Sequence, residues 1–254
     1  MNYLLAGFAG MVQGLTEFLP VSSTGHLIIY EHIFGIPADK FGLSFDASLH
    51  LGTLAAVVLF FYKDYLRALK SKLAVAILVG TIPAAALGLI LETAIESSFR
   101  QLWVVGTALI LFSFVIVAAE KIGAKNQLKD QITPLKALVV GAFQALALVP
   151  GISRSGATIS AGLLLGLARE EAAKFAFMLS GPIILAAGLK KFIESANSSQ
   201  VSAPDFNLFA VGIVSSAVAG YLTIKYFLKY LSTRTLYPFV IYRIILGIIL
   251  IVQG

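Results

Sequence analysis

Two stretches of this sequence match each other half a chain apart, and each concentrates polar residues in apolar surroundings. Residues 10–28 read GMVQGLTEFLPVSSTGHLI, and residues 141–159 read GAFQALALVPGISRSGATI. They align without a gap, so that Gln13 falls on Gln144 and Ser22 on Ser153. Internal symmetry of this kind predicts two related halves, repeat 1 at about 1–122 and repeat 2 at about 132–254.

The composition places these repeats in a membrane. The chain is 58% hydrophobic and 13% charged, with a mean hydropathy of +0.90, whereas soluble domains average about 25% charged residues. The net charge of +6 lies in short basic clusters between apolar runs, which is typical of membrane topology and not of nucleic-acid binding. The absence of cysteine excludes disulfides and thiolate sites. We therefore expect one integral membrane domain over 1–254, in contact with membrane lipids.

The apolar runs differ in length, and this predicts two kinds of segment. Residues 1–19 stop at Pro20, and residues 23–34 are too short to span a bilayer. We expect a re-entrant hairpin with its tip at 20–23, the alternative being two short interfacial helices. A second hairpin is expected over 135–167, with its tip at 150–154. Full spans are expected at 46–62, 73–91, 102–119, 172–191, 206–228 and 237–252.

Charge sets the predicted orientation. The basic segments 63–72 and 121–136 are interpreted as loops between spans. Two spans separate them, so both should be cytoplasmic, whereas 192–205 has no Lys or Arg and should be external. Three spans separate the hairpins, so the hairpins enter from opposite sides. The predicted fold is an all-α polytopic membrane protein with an inverted-topology repeat, each half holding a re-entrant helical hairpin plus three transmembrane helices. A fainter match between 80–88 and 212–220 offers small residues for close packing.

The two tips carry the residues that suit an anion. Each return half-helix begins at its tip, so the backbone N–H groups and positive dipole ends of both should face the midplane. Arg154 adds a permanent cation whose guanidinium fork suits phosphate. Helix capping would explain the serines equally well, but not Arg154, which is costly at membrane depth if unpaired. The candidate hydroxyl ligands are Ser22, Ser23, Thr24, Ser153, Ser155 and Thr158.

Three further residues of the first tip suggest chemistry. Gln13 and Glu17 are four apart and share a helix face. Glu17 is a candidate functional carboxylate that could hold a divalent cation with phosphate oxygens, or it could form a structural ion pair with Arg154. His26 follows Ser22 and Ser23 by one helical turn, and its imidazole suits general acid–base catalysis on a hydroxyl or water.

Later segments add two candidates. Arg243 lies well inside the last predicted span, where it either snorkels to the surface or makes a second phosphate contact. Asp46 and His50 are four apart at the head of a span and could face the same cavity. A carboxylate, a histidine, hydroxyls and arginines within reach of lipid together suit phosphoryl transfer from a lipid-borne diphosphate.

Four stretches resemble one known family. QGLTEFLPVSSTGHL at 13–27 and PGISRSGAT at 150–158 resemble the two main motifs of the bacterial undecaprenyl-diphosphate phosphatases, also called bacitracin-resistance proteins. FDASLHLGTLAAV at 45–57 and PFVIYRIILG at 238–247 resemble two further stretches of that family. The resemblance covers essentially the whole chain in order and spacing.

This resemblance implies a function and a set of roles. The implied reaction hydrolyses undecaprenyl diphosphate to undecaprenyl phosphate and inorganic phosphate, which recycles the carrier lipid for peptidoglycan synthesis and confers bacitracin resistance. It implies Mg²⁺ or Ca²⁺ dependence, the bacterial cytoplasmic (inner) membrane, and a cavity open to the outer face. The family's glutamate-rich motif falls on Gln13 and Glu17, which leaves one carboxylate for metal. The remaining implied roles are a candidate nucleophile at Ser23, with water as the alternative, an essential histidine at His26, and phosphate ligands at Ser153, Arg154, Thr158 and Arg243.

Two other functions compete with this hypothesis. Inverted repeats with broken helices are also the architecture of transporters, so a flippase for a polyprenyl phosphate lipid is an alternative. A second class of membrane lipid phosphatase has serine–glycine–histidine and serine–arginine elements. That class needs another histidine after the serine–arginine element, and no histidine follows His50, so we exclude it. The sequence leaves the oligomeric state open, including a homodimer.

Overall fold

The fold is built from helices. The computed structural model describes residues 2–36, 40–123, 132–197 and 206–253, without the side chains of 40–44, 92–94, 96, 97 and 189–197. These ranges contain no strand, and their helices are α1 Tyr3–Phe18, α2 Ser23–Phe34, α3 Lys40–Phe60, α4 Tyr62–Ala68, α5 Lys72–Ser98, α6 Leu102–Gly123, α7 Pro134–Leu146, α8 Arg154–Leu164, α9 Arg169–Asn197, α10 Phe206–Leu231 and α11 Tyr237–Gln253.

Several of these helices can cross a membrane. Four of the described helices, α5, α6, α9 and α10, are long and apolar enough to span. The pair α3 and α4 forms a fifth candidate, bent by 71° at the break between Phe60 and Tyr62. Helix α5 presents Leu78, Leu89 and Ile90 on its exposed surface, as a lipid-facing helix does. The predicted all-α polytopic membrane fold is confirmed, whereas the last predicted span corresponds to α11, a shorter apolar helix of 17 residues.

Helix boundaries follow local capping chemistry. Ser71 caps α5 by accepting from the Leu73 N–H, and Thr133 caps α7 directly before Pro134 at the first helical position. Pro83 lies inside α5 without ending it. One boundary prediction was wrong: the basic segment that begins at Lys63 is not a simple loop, because it includes helix α4.

Each half begins with two short helices that meet at a tip. Helices α1 and α2 are joined by 19–22, and α7 and α8 by 147–153. The helices of each pair contact each other. This arrangement has the form expected of two helical hairpins, and their re-entrant path through a bilayer stays a prediction.

The two halves pack against each other reciprocally. Helix α1 packs on α10, and its counterpart α7 packs on α5, while α6 packs on α11. Close backbone contacts occur at matching positions in the two halves. A Cβ on Gly10 would collide with the carbonyl oxygen of Gly212, and a Cβ on Gly141 would collide with the carbonyl oxygen of Gly80. These are the glycines that align between the repeats. Reciprocal contacts favour a pseudo-twofold relation between the halves, and the inverted orientation remains a prediction.

Part of the topology prediction falls on undescribed residues. Lys125 and Lys129 of the second basic segment lie outside the described residues, as do residues 198–205 of the predicted external loop. Of the first basic segment, Lys63, Arg67, Lys70 and Lys72 are all described.

Candidate active site

The two tips share an unusual backbone conformation. Among the described residues, the non-glycine positions with positive φ are Ser22, at 71°, and Ser153, at 78°. Each serine caps the following half-helix, its Oγ accepting from the N–H of Gly25 at 3.3 Å or of Gly156 at 3.2 Å. A left-handed φ costs a side-chain-bearing residue about 1–3 kcal/mol and clusters at functional sites. The matched serines therefore mark matched tips.

The tips are bonded directly to each other. The N–H of Gly151, in the second tip, donates to Ser22 Oγ at 3.1 Å. In return, Ser155 Oγ donates to the Leu19 carbonyl at 2.8 Å. Ser22 and Ser155 thus join the two repeats at the point where both half-helices start.

Arg243 also joins the two tips. It is fully buried, and its guanidinium donates to the carbonyls of Pro20, at 3.0 Å, and Gly151, at 3.1 Å, one from each tip. It also donates to Ser113 Oγ and the Leu109 carbonyl. Arg243 does not line the cavity described next. The structure therefore places it as a tie between the tips and neither as a snorkelling residue nor in contact with the substrate space.

A cavity of about 300 Å³ lies beside the joined tips. It receives six of the residues predicted at or beside the two tips: Glu17, Ser22, Ser23, Thr24, Ser153 and Arg154. The wall is completed by residues of α3, α5, α7 and α9 and by Arg100. The residues that the sequence singled out at the two tips thus meet at one space, although they are far apart in the chain.

Glu17 is the centre of the polar cluster in this wall. Its side chain is only 3% exposed. Its Oε2 accepts from Ser23 Oγ at 2.5 Å and from Gln13 Nε2 at 3.0 Å, while its Oε1 pairs with the Arg154 guanidinium. The predicted Glu17–Arg154 ion pair is therefore present. It links the carboxylate of one repeat to the cation of the other.

Ser23 and Arg154 occupy equivalent positions at the starts of α2 and α8. A helix start carries free backbone donors and a positive dipole end, which favour a bound anion. Arg154 retains 21% side-chain exposure and so remains open to the cavity. The cavity therefore offers phosphate a fork of donors on one side and a hydroxyl bonded to a carboxylate on the other.

His26 lies outside this cavity. Its Nδ1 is 2.7 Å from the Ser22 carbonyl oxygen, and its Nε2 is 2.7 Å from Tyr242 Oη. The imidazole stacks on the Tyr242 ring with centroids 5.7 Å apart. The expected spacing from Ser22 is present, but one ring nitrogen is bonded to the Ser22 carbonyl and the other to the Tyr242 hydroxyl. The geometry therefore does not place His26 as a base for Ser23.

Two predicted phosphate ligands serve the protein's own structure. Thr158 Oγ1 donates to the Arg154 carbonyl at 2.8 Å, within α8. Ser155 Oγ bonds to the first tip, as described above. Neither side chain lines the cavity. Their hydroxyls are used in helix and tip packing, which was the alternative left open by residue type.

His50 lines the cavity, as its pairing with Asp46 suggested. Its Nδ1 is 2.9 Å from the Asp46 carbonyl oxygen, and its Nε2 is 3.8 Å from Glu17 Oε2. Asp46 also lines the cavity and accepts from Arg100 at 3.4 Å, and Arg100 bonds Glu31 at 2.9 Å. The sequence did not single out Arg100 as a site residue. The signal that it missed was the pair of acidic residues on α2 and α3 that this arginine neutralises.

Gln144 is the second cavity residue that the sequence did not single out. It is 2% exposed, and both polar atoms of its side chain lack a hydrogen-bond partner within the described structure. The available signal was its alignment with Gln13.

The site offers few protein ligands to a metal. No group of three or more His, Asp or Glu side chains that could hold a metal ion occurs in the described part of the chain. Glu17 supplies one carboxylate, and the buried Oε1 of Gln13 has no hydrogen-bond partner among the residues that the structure describes. One carboxylate and one amide oxygen fit a cation that takes its other ligands from phosphate and water, as Mg²⁺ usually does.

Comparison with known proteins gives consistent matches. The family described as bacitracin resistance protein BacA matches residues 6–249. An undecaprenyl-diphosphatase of Rubrobacter xylanophilus is 43% identical, covering 97% of this chain and 96% of the relative. One of Chromohalobacter salexigens is 42% identical, covering 99% of both chains, and one of Thermodesulfovibrio yellowstonii is 42% identical, covering 95% and 93%.

Proposed function

The chain belongs to the BacA family of bacitracin resistance proteins and is an undecaprenyl-diphosphatase, and we propose that Glu17, Ser23 and Arg154 carry its reaction. The enzyme hydrolyses undecaprenyl diphosphate to undecaprenyl phosphate and inorganic phosphate, which recycles the carrier lipid of peptidoglycan synthesis and confers resistance to bacitracin. One observation carries the proposal. Glu17 accepts hydrogen bonds from both Ser23 and Arg154 in the wall of the cavity.

Arg154 binds the terminal phosphate of the substrate. Its guanidinium donates from a fixed fork to two phosphate oxygens, a geometry that a lysine cannot reproduce. Ser153 and Thr24 line the same space and add hydroxyl groups from the two tips. The starts of α2 and α8 contribute their dipole ends. The bound phosphate is thereby neutralised and positioned, which supplies most of the rate in phosphoryl transfer.

Ser23 is the nucleophile and Glu17 its base. As Ser23 Oγ bonds to the terminal phosphorus, Glu17 Oε2 takes the hydroxyl proton across the 2.5 Å hydrogen bond. The bond from phosphorus to the bridging oxygen breaks, and undecaprenyl phosphate leaves with the electron pair. Water then displaces Ser23 from phosphorus, Glu17 returns the proton to Ser23 Oγ, and inorganic phosphate is released.

In this mechanism, His26 has a structural role. It is bonded to the Ser22 carbonyl and to Tyr242, so it fixes the start of α2 relative to α11. The proton transfer predicted for His26 is assigned to Glu17, because that carboxylate, and not the imidazole, is bonded to Ser23.

A divalent cation, Mg²⁺ or Ca²⁺, completes the proposed site. Glu17 and Gln13 are the protein residues that would hold it, with the diphosphate oxygens providing further ligands. When bound, it would offset the negative charge of the diphosphate. The support for this assignment is the unpartnered oxygen of Gln13 next to Glu17.

We place the enzyme in the bacterial inner membrane with its cavity open to the outer face. Helix α5 begins at the basic end, at Lys72, and finishes close to Arg100, which lines the cavity. A helix of 27 residues is about 40 Å long, so Arg100 and the basic segment lie toward opposite ends of it. Basic segments stay cytoplasmic, which supports an outward opening.

Replacement of Arg154 tests the proposal. Phosphate release from undecaprenyl diphosphate by purified protein in detergent should fall about 10²–10³-fold in Arg154→Lys, the usual cost of losing a donor to transition-state charge. Arg67→Lys is the matched control, because the Arg67 side chain is 78% exposed. A chelator should lower the wild-type rate, and Mg²⁺ or Ca²⁺ should restore it.

Two outcomes would contradict the account. A wild-type protein that released no phosphate would not be a phosphatase, and transport of the lipid would then be the function to test. An Arg154→Lys enzyme that worked at the wild-type rate would remove the arginine from the site.

A further inference from the structure

Gln144 is a polar side chain that the proposed mechanism does not use. It lies in the last turn of α7 and lines the cavity with Ser153 and Arg154. It is 98% buried, and neither Nε2 nor Oε1 has a hydrogen-bond partner among the described residues. A buried amide without partners is unfavourable unless a ligand or water pairs with it.

The matching residue of the first repeat shows what this amide lacks. Gln13 donates from Nε2 to Glu17 Oε2 at 3.0 Å, four residues further along the helix. The residue four positions after Gln144 is Leu148, which offers no acceptor. The second repeat therefore presents the same amide without its carboxylate, at a point where the wall faces a cavity. An anion in the cavity would take the place that Glu17 has in the first repeat.

We propose that Gln144 is a substrate-binding residue whose amide N–H donates to a non-bridging phosphate oxygen of the polyprenyl diphosphate. This inference rests on the proposed function and extends it. Arg154 is already paired with Glu17, whereas Gln144 has no hydrogen-bond partner among the described residues. The amide thus adds a neutral donor for the diphosphate without competing for the carboxylate.

The test compares Gln144→Leu with wild type. Leucine keeps the side-chain size and removes both polar atoms. We expect KM for undecaprenyl diphosphate to rise about 10- to 100-fold, as for the loss of one hydrogen bond to a charged group. The unfolding temperature of the ligand-free protein should not fall, because no protein partner is lost. Methylenediphosphonate, a diphosphate that cannot be hydrolysed, should raise the unfolding temperature of wild type more than that of the variant. Gln144→Met provides a second apolar replacement if the leucine variant does not fold.

Ser160→Ala is the matched control. Ser160 is also buried and has no hydrogen-bond partner in the described part of the chain, but it does not line the cavity. Its replacement should leave KM and the methylenediphosphonate shift unchanged, which would show that removing an unpaired buried group is not enough to weaken binding.

The outcomes separate this inference from the proposed function. A Gln144 variant with wild-type KM and a full methylenediphosphonate shift would overturn the inference, and so would a lowered unfolding temperature with unchanged KM, since that result indicates a structural role. If the wild-type protein released no phosphate, the proposed function would fail, and the methylenediphosphonate shift would still report on Gln144.

Discussion

At the scale of single residues, Glu17 connects three side chains that reach it from different places. Gln13 comes from its own helix, Ser23 from the next half-helix and Arg154 from the other repeat. A carboxylate this deeply buried is stable only when it is paired and hydrogen-bonded. The same contacts that stabilise the Glu17 charge therefore also set the nucleophile and the phosphate-binding cation at fixed positions around the cavity.

Replacement of Arg243 tests its role in joining the two tips. Arg243→Lys keeps the charge but loses the fork that joins the two tips through the Pro20 and Gly151 carbonyls. A lysine leaves buried acceptors unpaired, which costs about 1–3 kcal/mol each. We expect the unfolding temperature of the ligand-free variant in detergent to fall, as measured by a thermal melt.

The control for this change is Arg234→Lys, because Arg234 is exposed and its replacement should leave the melt unchanged. An Arg243→Lys protein with an unaltered melt and a raised KM would instead indicate a substrate contact.

Sequence reasoning was informative about residues that are costly in a membrane. Glu17 and Arg154 stood out because charge is rare in an apolar chain, and both lie in the cavity wall. Hydroxyl residues were harder to assign, since a serine or threonine at a helix start looks the same whether it caps, packs or binds. Ser153 lines the cavity, while Thr158 bonds within its own helix. The direction in which His26 faces depends on Tyr242, which is distant in the sequence.

At the scale of helices, the position of each tip depends on close backbone contacts. Gly10 allows α1 to approach α10: a methyl group there would collide with the Gly212 carbonyl and lie 2.9 Å from Ser215 Cβ. Small residues of this kind let membrane helices pack closely. The repeat alignment predicted these small residues, but which helices they join became clear only from the three-dimensional contacts.

Gly10→Ala tests the close contact between α1 and α10. The added methyl group has no free space, so the free energy of unfolding should fall by about 1–3 kcal/mol, as for other overpacked sites. Gly7→Ala is the control on the same helix, since its methyl group would lie 3.5 Å from Val211 Cγ1, an ordinary contact.

Alanine also favours a helix over glycine by up to about 1 kcal/mol, so the Gly7 variant should be at least as stable as wild type. Equal melting temperatures for the two variants in detergent would contradict the close packing of α1 on α10.

Helix α4 was not predicted from the sequence. Its charged residues Lys63, Asp64 and Arg67 were interpreted as a loop between spans, yet they form a short helix after a 71° bend. Charge indicates that a segment leaves the apolar layer, but it does not decide whether the segment is helical. The bend depends on how α3 ends against its neighbours, which a single sequence does not specify.

At the scale of the whole molecule, the duplicated halves have divided their contributions. The first tip supplies Glu17 and Ser23, and the second supplies Arg154 and Ser153. The reciprocal packing of α1 on α10 and α7 on α5 brings both tips to one cavity. The pairing of the repeats was readable from the sequence because their residues align. The shape of the cavity was not, because α3, α5 and α9 complete it through contacts between distant segments.

In the proposed mechanism, Ser23 forms a covalent bond to the terminal phosphorus before water attacks it. A direct measurement is the stereochemical course of hydrolysis, using undecaprenyl diphosphate whose terminal phosphorus carries sulfur and two different oxygen isotopes, hydrolysed in water that supplies the third oxygen isotope. Each in-line displacement inverts the phosphorus, so two successive displacements restore its configuration. A Ser23 nucleophile therefore predicts that the released thiophosphate has retained configuration. Inverted thiophosphate would show direct attack by water and would contradict a nucleophilic role for Ser23.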